Sequence, residues 1–126
     1  MTRTELETYI KSQYGILPDY PFAGDFVTAV FRHPDNHKWF AIAMRIPKGK
    51  LGIPEDGFMD VVNVKCDPDV LISFRSQDGI YPAYHMNRNH WLTVALDNRT
   101  GNDTMAFLLG ISFDLTHKKK STKQSR

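Results

Sequence analysis

The sequence predicts an α+β fold: an antiparallel sheet with helices packed mainly on one face, in the order α-β-β-β-α-β-α. Three observations carry that prediction. Runs with period-two alternation follow one another across short turn-rich segments, as hairpin strands do, with no crossover helix among the first three. Asp67-Pro68-Asp69, directly after the third run, is a helix start. The segments 2–14 and 102–117 instead space their apolar residues by three and four. Hairpins with helices grouped to one side belong to α+β and not to a parallel, doubly wound sheet. No internal repeat or interdomain linker divides the 126 residues. The chain therefore reads as one domain over 1–117 followed by a basic tail over 118–126.

Each element has a local cause. Thr2 can cap the first helix, with Glu5 at the capping-box spacing. Leu6, Tyr9, Ile10 and Tyr14 recur along one stripe, and Gly15 with Pro18 beyond it ends the helix. A loop rich in proline and aromatic residues leads to a strand expected over 26–32. His33-Pro34-Asp35-Asn36-His37 is a turn by composition. In the returning strand, 38–46, Trp39, Ala41, Ala43 and Arg45 alternate with Phe40, Ile42, Met44 and Ile46. Apolar residues on both sides imply a sheet covered on both faces. After a Gly/Pro loop, 58–66 alternates again, with Val62, Val64 and Cys66 facing one way. Asp67 then caps a helix whose inward stripe is Val70, Leu71, Phe74 and the stem of Arg75. The last helix starts at Asn102 or Asp103, with Met105, Leu108, Leu109, Ser112 and Phe113 on one stripe. Gly110 within it is expected where another element packs closely.

The stretch 80–96 concentrates the unusual chemistry. Asp78-Gly79 is a turn signal, and Pro82 excludes a helix interior. From His90 the pattern alternates, so a strand is expected over 90–96 with Leu92, Val94 and Leu96 inward and Trp91, Thr93 and Ala95 on the other face. Tyr84 and Trp91 fit two readings. They cover a second small core, with the histidines as satisfied or exposed polar groups, or they line a groove in which a ligand or base stacks.

Composition bounds the function. Hydrophobic residues make up 41% and charged residues 24%, ordinary for a globular domain. One cysteine, Cys66, excludes an internal disulfide and fits a reducing compartment. No apolar run suits a signal peptide or a bilayer span, so a cytoplasmic protein with no membrane partner is expected. The net charge of +2 hides an asymmetry: Lys118, Lys119, Lys120, Lys123 and Arg126 leave a body with 11 basic and 14 acidic groups, a net charge of −3. Such a tail can meet phosphate by counterion release or serve as a solvated end.

No motif names a reaction. His33 and His37 sit in a turn broken by Pro34; Asp35 lies between them, but no nearby Cys or third His completes a site, so they read as exposed turn residues and no metal is expected. Lys48-Gly49-Lys50-Leu51-Gly52 lacks the spacing and the Lys-Ser/Thr ending of a phosphate loop. Cys66 reads as a small core hydrophobe. His85, His90 and Asp97 could supply acid–base groups, but no nucleophile accompanies them.

Several local segments resemble the MmcQ/YjbR-like family of small bacterial proteins over roughly residues 2–116. They are Asp19-Tyr20-Pro21-Phe22, Lys38-Trp39-Phe40-Ala41, Val64-Lys65-Cys66-Asp67-Pro68 and, most specifically, Tyr81-Pro82-Ala83-Tyr84-His85-Met86-Asn87 followed by His90-Trp91. Ser112-Phe113 stands where the family usually has Ser-Tyr, which removes one hydroxyl. The resemblance implies a frataxin-like (CyaY-like) fold, often described as a double-wing DNA-binding module. Iron binding of the frataxin kind does not carry over, because Glu5 and Glu7 are too few acids in the first helix.

The resulting expectation is a non-enzymatic module without a cofactor. Its candidate nucleic-acid contacts are Lys38, Arg88, Lys118, Lys119, Lys120 and Lys123 to phosphate, with Tyr84, His90 and Trp91 for stacking or groove contacts. The alternative is a protein-interaction or small-ligand module that uses the Tyr84/Trp91 surface, since aromatic density without matching charge is common in partner surfaces.

Overall fold

The structure, a computed structural model, describes residues 1–117. Helices α1 (Arg3–Tyr14), α2 (Pro68–Phe74) and α3 (Asn102–His117) accompany strands β1 (Ala29–Arg32), β2 (Trp39–Pro47), β3 (Phe58–Lys65), β4 (Ile80–Pro82) and β5 (Trp91–Ala95). The sheet runs β1-β2-β3-β5-β4, antiparallel throughout. The α+β prediction stands, with one strand added to the expected order. Ile80–Pro82 pairs with β5, and a proline is tolerated there because β4 is an edge strand. Three residues are too few to leave a period in the sequence.

The main core lies between the sheet and α1 and α3. Leu6, Ile10, Met105, Leu108 and Leu109 meet Phe31, Phe40, Ala43, Val62, Val64, Leu92 and Val94 there. A smaller cluster on the opposite face joins Ile46, Met59, Val61 and Ala95, with Leu51, Ile53, Tyr81 and Tyr84 packed against it. Alternation thus sends Val62 and Val64 to one side and Val61 to the other, as period two requires. Both faces are covered, which accounts for strands that are apolar on both sides.

Helix starts and stops follow the local signals. Thr2 and Glu5 form a reciprocal capping box, and Gly15 adopts the left-handed region at φ 70° while its N–H bonds Lys11 O at 2.9 Å. Asp67 caps α2 by accepting from Val70 N–H at 3.1 Å, with Pro68 at the first helical position.

The first strand begins later than its composition suggests. Asp25 Oδ1 accepts from Val27 N–H at 2.8 Å and from Thr28 N–H at 2.9 Å, so both donors are withdrawn from any ladder. Phe26 is left 83% exposed, and β1 starts at Ala29.

The second correction concerns Phe40. Phe31 pairs with Ala41 but Arg32 pairs with Trp39, so Phe40 is the extra residue of a β-bulge. It leaves the alternation and enters the main core beside Ala41. Its ring meets Phe31, Tyr14 and Phe113. The regular β2–β3 register begins only at Ala41–Val64. Ser112 on α3 spans the irregular end: Lys65 N–H donates to Ser112 Oγ at 2.8 Å, and that hydroxyl donates to Phe40 O at 2.6 Å.

His33 is a further correction. It is fully buried, because the last turn of α3 closes over it and Thr116 Oγ1 lies 2.8 Å from its Nε2. Gly110 also differs from expectation. A Cβ there would find Tyr14 Oη at 3.9 Å, ordinary contact distance, so no close approach demands glycine. Gly110→Ala is therefore expected to stabilise the fold by about 0.5–1 kcal/mol, read as a higher denaturant midpoint. A lower midpoint would mean that α3 tolerates no side chain at that position.

Candidate functional site

The turn ahead of β5 is fastened from within. Cys66 N–H donates to His90 O at 2.8 Å, which joins the end of β3 to the start of β5. His90 N–H bonds Asn87 O at 3.1 Å, and Asn89 N–H bonds Asn87 Oδ1 at 2.8 Å, an Asx-type turn. With the main chain committed inward, Arg88, Asn89 and His90 present exposed side chains. Helix α2 packs alongside through Leu71, and two adjoining clefts open between them. One, of about 380 Å³, is lined by Pro68, Leu71, Ile72, Arg75, Asn89 and His90. The other, of about 250 Å³, is lined by Leu71, Arg75, Pro82, Arg88, Asn89 and Leu92. The floor is apolar and the rim cationic, an arrangement suited to an anion carrying an apolar or aromatic part.

Tyr84 and Trp91 lie on the face away from α1 and α3. Tyr84 is half-buried, packs on the second cluster and meets the exposed His85 ring at a centroid distance of 3.9 Å. Its main chain is held on both sides. Tyr84 N–H donates to Thr93 Oγ1 at 2.9 Å, Asn63 Nδ2 donates to Tyr84 O at 2.8 Å, and the Thr93 hydroxyl donates to Asn63 Oδ1. Trp91 is half-buried at the start of β5, directly opposite Lys65. Tyr84 thus covers the second core while Trp91 and Lys65 line the end of the sheet.

Register places the other candidates at that same end. Lys38 precedes Trp39 at the start of β2, and the antiparallel order sets the starts of β2 and β5 against the end of β3. Lys38 is exposed in the hairpin turn, where its N–H bonds Asn36 Oδ1 at 2.9 Å. Lys118, Lys119, Lys120 and Lys123 lie outside the described residues.

Electrostatics separates the cations into two sets. Arg3, Arg32, Arg45, Lys48 and Arg99 each have an acidic partner. Among the described residues Lys38, Lys65, Arg75 and Arg88 make no ion pair, and all four belong to the end of the sheet that carries the clefts. Lys11 and Lys50, equally without an ion pair, stand on α1 and in the β2–β3 connection. Lys65 and Arg75 did not stand out in the sequence. Lys65 looks like any outward strand residue until Trp91 is paired with it, and Arg75 reads as a continuation of the α2 stripe four residues after Leu71.

Cys66 is buried, and burial, aided by the neighbouring Asp67 charge, pushes its thiol up to about 11. That suppresses the thiolate and any nucleophilic role at neutral pH. No helix among the described residues is long and apolar enough to cross a membrane.

The model of the YjbR family matches residues 11–115. This chain belongs to the YjbR family. A YjbR-like relative, Bacillus subtilis (strain 168) YyaQ, is 34% identical over 116 residues, 92% of this chain and 98% of YyaQ. A crystal structure of a Pseudomonas syringae protein has a TM-score of 0.89 at 43% identity, covering 92% of this chain and 99% of that one. The Deinococcus radiodurans protein DR2400 has a TM-score of 0.71 at 28% identity, covering 99% of this chain and 85% of its own. The three helices and open five-stranded antiparallel sheet described above agree with these solved structures.

Proposed function

We propose that this YjbR protein is a non-enzymatic nucleic-acid-binding module, with DNA as its ligand. The observation that carries the reading is the gathering of Lys38, Lys65, Arg75 and Arg88, none ion-paired among the described residues, at one end of a body whose net charge is −3. These cations contact phosphate, His90 and Asn89 reach sugar or base edges, and Trp91 offers a stacking surface. Lys118, Lys119, Lys120 and Lys123 add sequence-independent affinity, because each phosphate they neutralise releases a counterion.

Fluorescence anisotropy with a labelled duplex of about 20 base pairs, titrated from about 50 mM salt upward, tests this. Arg75→Ala/Arg88→Ala should lower the slope of log K against log salt by about 2, one unit per lost contact. Lys11→Ala and Lys50→Ala should leave it unchanged. No binding of the wild type at the lowest salt removes the proposal, and loss in the Lys11 or Lys50 variants alone moves the interface elsewhere. Binding of a protein or small molecule at Tyr84 and Trp91, with no duplex affinity, would favour the interaction-module alternative.

A further inference from the structure

The β1–β2 turn and the last turn of α3 bring together side chains that are distant in the chain. One ligand atom from each of His33, Asp35 and His117 lies within 4.8 Å of the other two. His117 Nε2 and Asp35 Oδ2 are already 3.3 Å apart. Two donors each roughly 2.1 Å from one ion sit roughly 3–3.5 Å apart, so this pair needs little movement to share one. The His33 and His117 rings lie 4.8 Å apart at an interplanar angle of 28°.

The tautomer of His33 follows from its surroundings. Thr116 Oγ1 has one proton, and carbonyls take it: Ser112 O lies at 2.7 Å and Phe113 O at 3.3 Å. The hydroxyl therefore accepts from His33 Nε2–H at 2.8 Å, which puts the imidazole lone pair on Nδ1. A neutral histidine whose second nitrogen is held by another group is the form a metal-ligating histidine takes. Asn36 Nδ2 donates to Thr116 O at 3.0 Å and ties the turn to the helix end, so the two halves of the set are fixed relative to each other.

We propose that His33, Asp35 and His117 bind a divalent transition ion of the zinc class, clasping the β1–β2 turn to the end of α3. Two imidazoles and one carboxylate suit Zn²⁺, Co²⁺ or Ni²⁺ and do not suit Ca²⁺ or Mg²⁺, which call for all-oxygen sets. Water completes the coordination. The site shares no residue with the clefts beside α2. It was hidden in the sequence because 82 positions separate Asp35 from His117.

Isothermal titration of the full chain with Zn²⁺ alone tests the site, with circular-dichroism melts of each variant as a check on folding. The wild type should bind one ion per chain and melt at a higher temperature with the ion than without it. His117→Ala and Asp35→Asn alter exposed side chains, and each should weaken binding at least roughly tenfold, the least that loss of even a supporting partner costs. His37→Ala, in the same turn but outside the set, should bind as the wild type does. Co²⁺ should give visible absorption bands in the wild type that are lost in His117→Ala. No binding by the wild type, equal affinity in His117→Ala, or a loss confined to His37→Ala would each overturn the assignment.

Discussion

Ser112→Ala should cost about 3 kcal/mol, because a buried and a part-buried main-chain group each lose the partner they depend on. The bulge at Phe40 ends the regular β2–β3 pairing, leaving Lys65 N–H and Phe40 O without a strand partner. The Ser112 hydroxyl accepts from one and donates to the other. Removing it creates almost no cavity, so the loss is one of hydrogen bonding. The cost is a large part of the 5–15 kcal/mol that roughly bounds such a domain. Urea denaturation should read it as a lower midpoint with an unchanged slope. Ser73→Ala is the control, since that hydroxyl bonds Asp69 O on an exposed helix face and should cost little. A Ser112→Ala loss below about 1 kcal/mol would show that the bulge is satisfied in some other way.

The same bulge marks where sequence reasoning reaches its limit. The capping box of α1, the Gly15 stop and the Asp67-Pro68 start were legible because every group involved lies within a few residues of its partner. The two faces of β5 were legible because alternation is a local property. Alternation groups Phe40 with Ile42, whereas the bulge, a relation between two strands, sends it to the side of Ala41, and the hydroxyl that serves it lies 72 residues away. The start of β1 was obscured by a side chain, Asp25, capturing two main-chain donors, a choice β-propensity does not record. His33 looked exposed until α3 closed over it from 83 residues away.

The candidate site is legible in the sequence only where its residues are neighbours in the chain: Arg88, His90, Tyr84 and Trp91 lie within one short stretch. Arg75 and Lys65 were invisible because helix packing and strand pairing bring them there. The anionic balance of the body also concealed the arrangement. Net charge says nothing of which cations are neutralised by a neighbour, and that pairing divides Arg99 and Arg45 from Arg88 and Arg75.

Thr93→Val should be nearly as costly as the serine change, about 2–3 kcal/mol, and it bears on function as well as stability. Thr93 is fully buried at the middle of β5, where valine matches its shape and lacks its hydroxyl. That hydroxyl accepts from Tyr84 N–H and donates to Asn63 Oδ1, while Asn63 Nδ2 donates to Tyr84 O, so the three groups close a ring of hydrogen bonds. Tyr84 is thereby docked on the sheet without being part of a strand, and the segment that follows it carries Arg88, Asn89 and His90. Thr93→Val should speed hydrogen exchange at the Tyr84 amide, because opening this local segment then costs less than opening the sheet. Asn63→Leu breaks the same ring, so the double variant should cost less than the sum of the singles by at least about 0.5 kcal/mol. If duplex binding depends on the pinned turn, affinity should fall in Thr93→Val even though the valine touches no ligand. Additive losses with an unchanged Tyr84 amide would mean that the ring contributes nothing as a unit, and that the Asn87–His90 turn is fastened to the sheet through its bond to Cys66.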